Sequence, residues 1–353
     1  MIIKTDCRFF EGDIPCKPHK QFGYHCSDCP SYQKIQNKIL IIKLGAIGDV
    51  IRTTPVLRKL REVYPSAQIT WISYYPEILS AEWIDRILNV SAENIHYLNQ
   101  IKFDWLINLD KDRIAISLAQ SIAAEKKSGF GIDEYGRAKP FSTEAENHKW
   151  LTGIFDDLSK QNTKHYVEEV FDIIGYKFNA EDYILENKEM SKWDLDYSKK
   201  IVGLNTGCGG RWTSRLWPDE YWIELSKNLI KNGYEVVLLG GEQEHEKNLF
   251  LSSKSGAKYS GHFPLKKFIS LVDQCTIVIT AVTMAMHIAM GLKKKVIIFN
   301  NIFNRNEFYL YGRGEILEPQ VKCECYYSPV CPHDSMKSIY PESVFNKIKE
   351  LLG

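Results

Sequence analysis

The sequence predicts an α/β protein built from two doubly wound domains, each with a parallel sheet. Three observations lead there. From Lys38 onward, short strand-like apolar runs alternate with helix-like amphipathic runs. The alternation comes in two separate blocks, each complete enough for a sheet with helices on its faces. A charged stretch, "NKEMSKWDLDYSKK" at 187–200, separates the blocks. With 353 residues and 44% hydrophobic content, the chain can bury a core in each.

The elements follow in order. "KILIIKL" (38–44) reads as a buried strand, and "PVLRKLREVY" (55–64) has helical spacing at Val56, Leu57, Leu60 and Val63. "QITWISY" (68–74), "IHYLN" (95–99) and "DWLINLD" (104–110) read as strands, and "ISLAQSIAAE" (116–125) as a helix. A polar, helix-rich middle follows. The pattern restarts with the strand "KIVGLNTG" (200–207), the helix "PDEYWIELSKNLIKNG" ending at Gly233, and the strand "YEVVLLGG" (234–241). It closes with the helix "LKKFISLVDQC", the strand "TIVITA", the helix "MAMHIAMGL" and the strand "KKVIIFN". The predicted division is an arm at 1–37, a first Rossmann-like domain at 38–190, a second at 191–335 and a final helical segment at 336–353.

Charge and terminal sequence narrow the function. The 45 basic and 44 acidic residues leave a net charge of +1, so no global basic field points to nucleic acid or anionic lipid. The opening "MIIKTDCRFFEGDIPC" lacks the apolar core and cleavage site of a secretion signal. No run approaches the roughly 18 apolar residues that would suggest a membrane span. The expectation is a cytoplasmic protein.

The first strand leads through "KLGAIGDVIRTTP" into a helix. Such a turn puts free backbone N–H groups at the carboxyl edge of a parallel sheet, where open α/β sheets bind ligands. Gly45 and Gly48 permit close approach, and Asp49 stands at or near the helix start. By spacing alone Asp49 reads as a helix cap. The glycines do not form the G-x-G-x-x-G pattern of a dinucleotide site.

The nine cysteines are clustered: Cys7, Cys16, Cys26 and Cys29 near the start, Cys323, Cys325 and Cys331 near the end, and only Cys208 and Cys275 between. Four thiolates in the arm could hold zinc or iron tetrahedrally, with His19 and His25 as alternative ligands. Reduced thiols and disulfides are the other readings that the residues leave open.

The segment "ILIIKLGAIGDVIRTTPVLRKLREVYPSAQITWI" resembles the opening of the heptosyltransferase-like glycosyltransferases, glycosyltransferase family 9. The likeness continues through "FDWLINLDKDRIAISLAQSIAAEKKSGFG", "GLNTGCGGRWTSRLWPDEYWIELSKNL", "HIAMGLKKKVIIFN" and the tail ending "SIYPESVFNKIKELL". It covers about residues 38–353. It implies a GT-B architecture: two Rossmann-like domains facing a cleft, the acceptor on the first, the nucleotide-sugar donor on the second, and a last helix crossing back to the first.

The resemblance also assigns roles. Asp49 becomes the general base that takes the acceptor hydroxyl proton in an inverting displacement, with Gly48 beside it as an acceptor contact. The loop "NTGCGGRWTSRLWPDEYW" offers backbone N–H groups, hydroxyls and guanidinium groups to a diphosphate through Thr206, Gly209, Gly210, Arg211, Thr213, Ser214 and Arg215. Arg215 stands where the family usually has lysine. Glu244 matches a ribose-binding glutamate, with Glu242 and Glu246 as close competitors. In "TAVTMAMHIAMGL" the family pattern of Asp, Ser or Thr, Gly, then His is altered: Val282 and Met284 replace Asp and Gly, while Thr283 and His287 are kept; Thr283, Met284 and His287 are the candidate donor contacts there. Lys111, Arg113, His148 and Lys149 are the candidate contacts to an acidic acceptor. The tail cysteines resemble a family tail with a fourth cysteine, whose place is taken here by Ser335. The GT-B tail returning to the first domain would let the two cysteine groups meet.

The sequence therefore predicts a transferase that moves heptose or a related sugar from a nucleoside-diphosphate donor, with ADP-heptose as the candidate, to a bacterial surface glycan or glycolipid at the inner membrane face. It would use no redox cofactor and bind no nucleic acid. A protein-directed glycosyltransferase and a non-catalytic nucleotide-sugar-binding or assembly protein are the alternatives, the latter motivated by Val282 and Met284.

Overall fold

A computed structural model describes residues 2–321 and 324–353. The chain divides into two compact units. One runs to Leu151 and includes Val167–Glu181; the other comprises Thr152–Tyr166 and Asp182–Gly353.

The first unit is built on six strands: β1 (Lys38–Ile42), β2 (Gln68–Ser73), β3 (Arg86–Asn89), β4 (Phe103–Asn108), β5 (Ala124–Ile132) and β6 (Ala138–Pro140). Their order is β3-β2-β1-β4-β5-β6, and only β6 runs antiparallel. β1 lies between β2 and β4, with Ile42 in register with Ile72 on one side and Asn108 on the other. Apolar runs such as "ILII" suit a strand covered on both faces, and residues 39–42 are all buried. Leu40, Ile42, Leu44, Ile72 and Leu106 form the core beneath the helix Arg113–Ser121.

The second unit carries β7 (Ile201–Asn205), β8 (Glu235–Leu239), β9 (Ile277–Ala281), β10 (Lys295–Phe299) and β11 (Gly314–Leu317), all parallel, in the order β11-β10-β9-β7-β8. Both sheets reverse winding direction beside their first strand, between β1 and β4 and between β7 and β9. Crevices at such points are where doubly wound sheets bind ligands.

Some expectations change. "IHYLN" is not a strand: Ser91 accepts the N–H of Asn94 and caps a helix over Ala92–Leu98, and the adjacent strand is β3. The helix expected over 116–125 covers Arg113–Ser121, after which the chain enters β5. The boundary expected at 190 falls at Glu181, and 152–166 joins the second unit.

The last helix, Pro341–Leu352, also belongs to the second unit. Val344, Phe345, Ile348 and Leu352 enter the core formed with Trp217, Trp222, Ile297 and Phe299. Its apolar face is used there, so the expected return of 336–353 to the first domain is corrected. In the tail, Cys323 lies outside the described residues, Cys325 and Cys331 are half-buried, and Ser335 is buried. No helix among the described residues is long and apolar enough to cross a membrane.

Candidate active site

The candidate groups fall in two places, one at the carboxyl edge of each sheet. In the first unit, β1 passes through Lys43, Leu44 and Gly45 into the helix Ile47–Thr53. Its cap residue is Ala46, without a side-chain bond, so Asp49 is the third helical residue and not the cap. The Asp49 side chain keeps 35% exposure, and its Oδ1 pairs with Arg52 Nη2 at 2.8 Å. This charge-assisted contact holds the carboxylate in place one turn from its guanidinium partner. Gly48 is buried inside the same turn.

Asp110, at the end of β4, fixes this turn from beneath. Its carboxylate accepts from Lys43 Nζ, from the Leu44 N–H at 2.5 Å and from the Gly45 N–H at 3.4 Å. Lys43 Nζ also donates to the Gly45 carbonyl at 2.9 Å. Asn108 braces Asp110 from behind, its amide donating to the carbonyls of Asp110 (3.0 Å) and Phe130 (2.6 Å). Burial pushes the Asp110 carboxyl up, and the Lys43 ammonium opposes that shift. Sequence reading missed Lys43 and Asn108 as supports. The available signal was an acid directly after a strand in "LINLDKD", the same placement that drew attention to Asp49.

Three of the candidate acceptor contacts come together. Lys111 Nζ donates to the Lys149 carbonyl at 3.3 Å and lies 5.4 Å from the centre of the Phe130 ring. Lys149 Nζ binds Glu169 Oε2 at 2.5 Å, and His148 Nε2 stands 3.8 Å from Glu169 Oε1. Glu169 is 2% exposed and was not foreseen. Burial, reinforced by the Lys149 charge and opposed by Glu169, brings the Lys111 ammonium down to about 8. Arg113 stays exposed at the start of its helix.

In the second unit the loop after β7 meets the loops after β8 and β9. Asn205 Nδ2 donates to the Gly207 carbonyl at 3.0 Å and to Thr280 Oγ1 at 3.1 Å. Thr283 caps the helix Met284–Gly291 and sits 2.9 Å, oxygen to oxygen, from Thr280. Arg215 is 8% exposed. Its Nη1 donates to the Val282 carbonyl and its Nη2 to the Cys208 carbonyl at 3.3 Å, so one guanidinium ties two loops together. The Trp212 and Phe303 rings flank it at 5.1 and 5.6 Å. Its Nε is buried without a hydrogen-bond partner, and among the described residues it forms no ion pair. Burial pulls its pKa down. A buried cation without an acid is costly unless an anion joins it. His287, 7% exposed, lies in the same helix with its ring stacked 6.4 Å from that of Tyr183.

Other expected donor contacts are engaged within the unit. Thr206 Oγ1 donates to Asn248 Oδ1 at 2.5 Å, Ser214 Oγ to the Ser328 carbonyl at 2.8 Å, and Thr213 Oγ1 to the Pro329 carbonyl at 3.5 Å. Arg211 is exposed beside Trp212. Glu244 is turned into the glycine loop and does not reach outward for a ribose: it accepts the N–H of Gly209 at 3.3 Å and of Gly241 at 3.0 Å. A Cβ on Gly207 would lie 2.1 Å from the Glu244 side chain, which would have to move out of the loop to admit it. Gly209 has φ +75°, and the Gly210 N–H reaches Gln243 Oε1 at 2.6 Å. Glu242 is exposed, as is Glu246.

Among the described residues no group of three or more His, Cys, Asp or Glu side chains stands ready to hold a metal ion. Cys7, Cys16, Cys26 and Cys29 nevertheless all line one recess in the arm.

The sequence profile of "Glycosyltransferase family 9 (heptosyltransferase)" matches residues 93–301. The chain is 28% identical over 289 residues to lipopolysaccharide heptosyltransferase 2 of Salmonella typhimurium, covering 74% of this chain and 81% of that protein. The glycosyl transferase family 9 structure from Veillonella parvula superimposes with a TM-score of 0.67 at 18% identity, covering 90% of this chain and 97% of that one. The Escherichia coli heptosyltransferase WaaC with ADP-2-deoxy-2-fluoro heptose gives 0.62 at 16% identity, covering 89% and 99%. These likenesses establish the fold as two Rossmann-like domains of the GT-B kind.

Proposed function

We propose, from the premise that this chain belongs to glycosyltransferase family 9 (heptosyltransferase), that it moves heptose or a related sugar from an ADP-linked donor to a hydroxyl of a bacterial surface glycolipid. The second unit holds the donor and the first holds the acceptor. The observation that carries this reading is Asp49: a partly exposed carboxylate at the carboxyl edge of the first sheet, held by Arg52 on a turn that Asp110 and Lys43 brace.

The acceptor oxygen attacks the anomeric carbon as Asp49 takes its proton, and the bond from that carbon to the diphosphate breaks with its electron pair leaving on the phosphate oxygen. One direct displacement inverts the anomeric centre. Arg52 holds the Asp49 carboxylate in place, and a base must present such a group to the acceptor hydroxyl. The departing diphosphate gains negative charge, which the buried Arg215 guanidinium and the start of the helix Met284–Gly291 would offset. The ADP-linked donor is supported by the relative bound to an ADP-heptose analogue, and the glycolipid acceptor by the name of the Salmonella relative. Lys111, His148 and Lys149 form the cationic cluster offered to an acidic acceptor.

The test is transfer from ADP-heptose to a lipopolysaccharide core acceptor, by wild type and by Asp49→Ala. The variant should lose transfer while ADP still raises its melting temperature, because a ligand bound only by the native state stabilises it. Full turnover by folded Asp49→Ala would remove Asp49 from the mechanism. Transfer to a polypeptide in place of the glycolipid would make the enzyme protein-directed. Binding without any transfer would favour the non-catalytic alternative raised by Val282 and Met284.

A further inference from the structure

We infer that the N-terminal arm is a structural metal site, in which Cys7, Cys16, Cys26 and Cys29 together take one thiophilic divalent ion, zinc or iron(II). This goes beyond sugar transfer and does not depend on it.

The first support is convergence. Four cysteines spread over 23 residues all line the same recess, with Phe9, Phe10, Tyr24 and Tyr32 around them. All four are free thiols. His19 and His25 are not in that lining: their rings contact each other at 5.4 Å, and His19 Nδ1 lies 3.0 Å from the Tyr24 carbonyl. The donor set is therefore four sulfurs, which suits tetrahedral zinc or iron.

The second support is what the arm lacks. Between residues 2 and 37 only Pro18 is buried. The backbone is nonetheless folded back on itself, with the Arg8 N–H on the Gln33 carbonyl and the Ile35 N–H on the Asp6 carbonyl, both at 2.8 Å. These bonds close the segment that carries the four thiols. Segments below about 40 residues without a core are ordinarily held by disulfides or metal. An ion would supply the missing cross-link.

The third support is adaptability and charge. The sulfurs are not yet at ligand spacing, so binding must draw them inward. Cys26 and Cys29 sit on an exposed turn with few bonds, where a small shift is cheap. Four thiols bind a dication by releasing four protons, which leaves a net charge of −2 on the site. Lys4, which lines the recess with its ammonium 4.2 Å from the centre of the Tyr32 ring, is placed to offset it.

The experiment measures zinc and iron by elemental analysis in the full chain, purified under reducing conditions without chelator. The expected result is about one ion per chain, falling below about a tenth of that in the Cys26→Ser, Cys29→Ser double variant. A Cys325→Ser, Cys331→Ser variant should keep the ion. Limited proteolysis should cut the arm of the first variant faster while the melting temperature of the remainder holds. Should the double variant not fold, cobalt(II) loaded into wild type gives the second readout: four thiolates produce intense sulfur-to-metal charge transfer and tetrahedral visible bands. The inference is overturned by wild type carrying neither metal, by a cobalt spectrum lacking thiolate bands, by disulfides among the four cysteines, or by loss of the ion with the tail cysteines instead of the arm.

Discussion

Lys111 combines a cation and a near-neutral titration at a place where an acceptor would meet the first unit. Its charge is held to about 8 by burial, with Lys149 and Lys43 pressing it down and Glu169 and Asp110 pulling it up. A lysine lowered from its ordinary value is deprotonated in the folded chain first, so between about 8 and 10.5 the unfolded chain binds more protons and stability rises with pH. Binding of an anionic acceptor should move the opposite way, weakening as pH climbs through 8. The acceptor kcat/KM of wild type should therefore show an inflection near 8, and Lys111→Arg should lose it because guanidinium stays charged. An inflection that persists in Lys111→Arg would assign it to another group. The sequence marked Lys111 and Lys149 as candidate contacts to an acidic acceptor. Nothing in a linear reading brings them to Glu169, which is buried in a helix that reads as ordinary amphipathic surface. Asp49 was legible because strand, turn and helix are local signals. Its brace was not, because Asp110 lies 66 residues beyond Leu44 and meets it only through the pairing of β1 with β4.

At the scale of elements, the strands with unbroken β-branched or leucine runs were readable because burial on both faces demands such composition. β5 begins "AEKK", with its first four residues at least partly exposed, β6 has three residues, and β11 is only half-buried, so none carries that signature. The glycine loop was recognised by composition, yet its internal bonding was not. Glu244 and Gln243 occupy N–H groups that a diphosphate would seek. Arg215 joins the loops after β7 and β9 by a two-carbonyl fork. Arg215→Ala removes charge-assisted bonds worth about 1.5–3 kcal/mol, or roughly 10- to 100-fold in ADP affinity. Arg215→Lys restores the charge but cannot span both carbonyls, so it should recover only part. Titration calorimetry with ADP and with adenosine separates the outcomes: adenosine should be little affected. Equal losses for both ligands would mean general damage to the loops, and no loss for either would place the donor elsewhere.

For the molecule as a whole, the two units have separate cores, and the last helix is committed to the second. Ile348, fully buried on that helix, packs in the cluster that contains Trp217, Trp222 and Phe299, whereas Leu106, equally buried, packs with Leu40, Ile42 and Ile72. This assignment was not available from sequence, where the amphipathic pattern of "PESVFNKIKELL" specifies an apolar face but not which sheet receives it. Truncating either side chain leaves a cavity, and each change should cost about 2–5 kcal/mol. The costs should be local to the core concerned. Hydrogen exchange read peptide by peptide should show Ile348→Ala loosening β7, β9 and β10 while β1, β2 and β4 keep their protection, and Leu106→Ala doing the reverse, as expected when cooperative units open separately. If Ile348→Ala instead exposed β1 and β4, the helix would belong to the first core, as the family resemblance had implied. Protection lost equally in both sheets would mean that the chain unfolds as one unit.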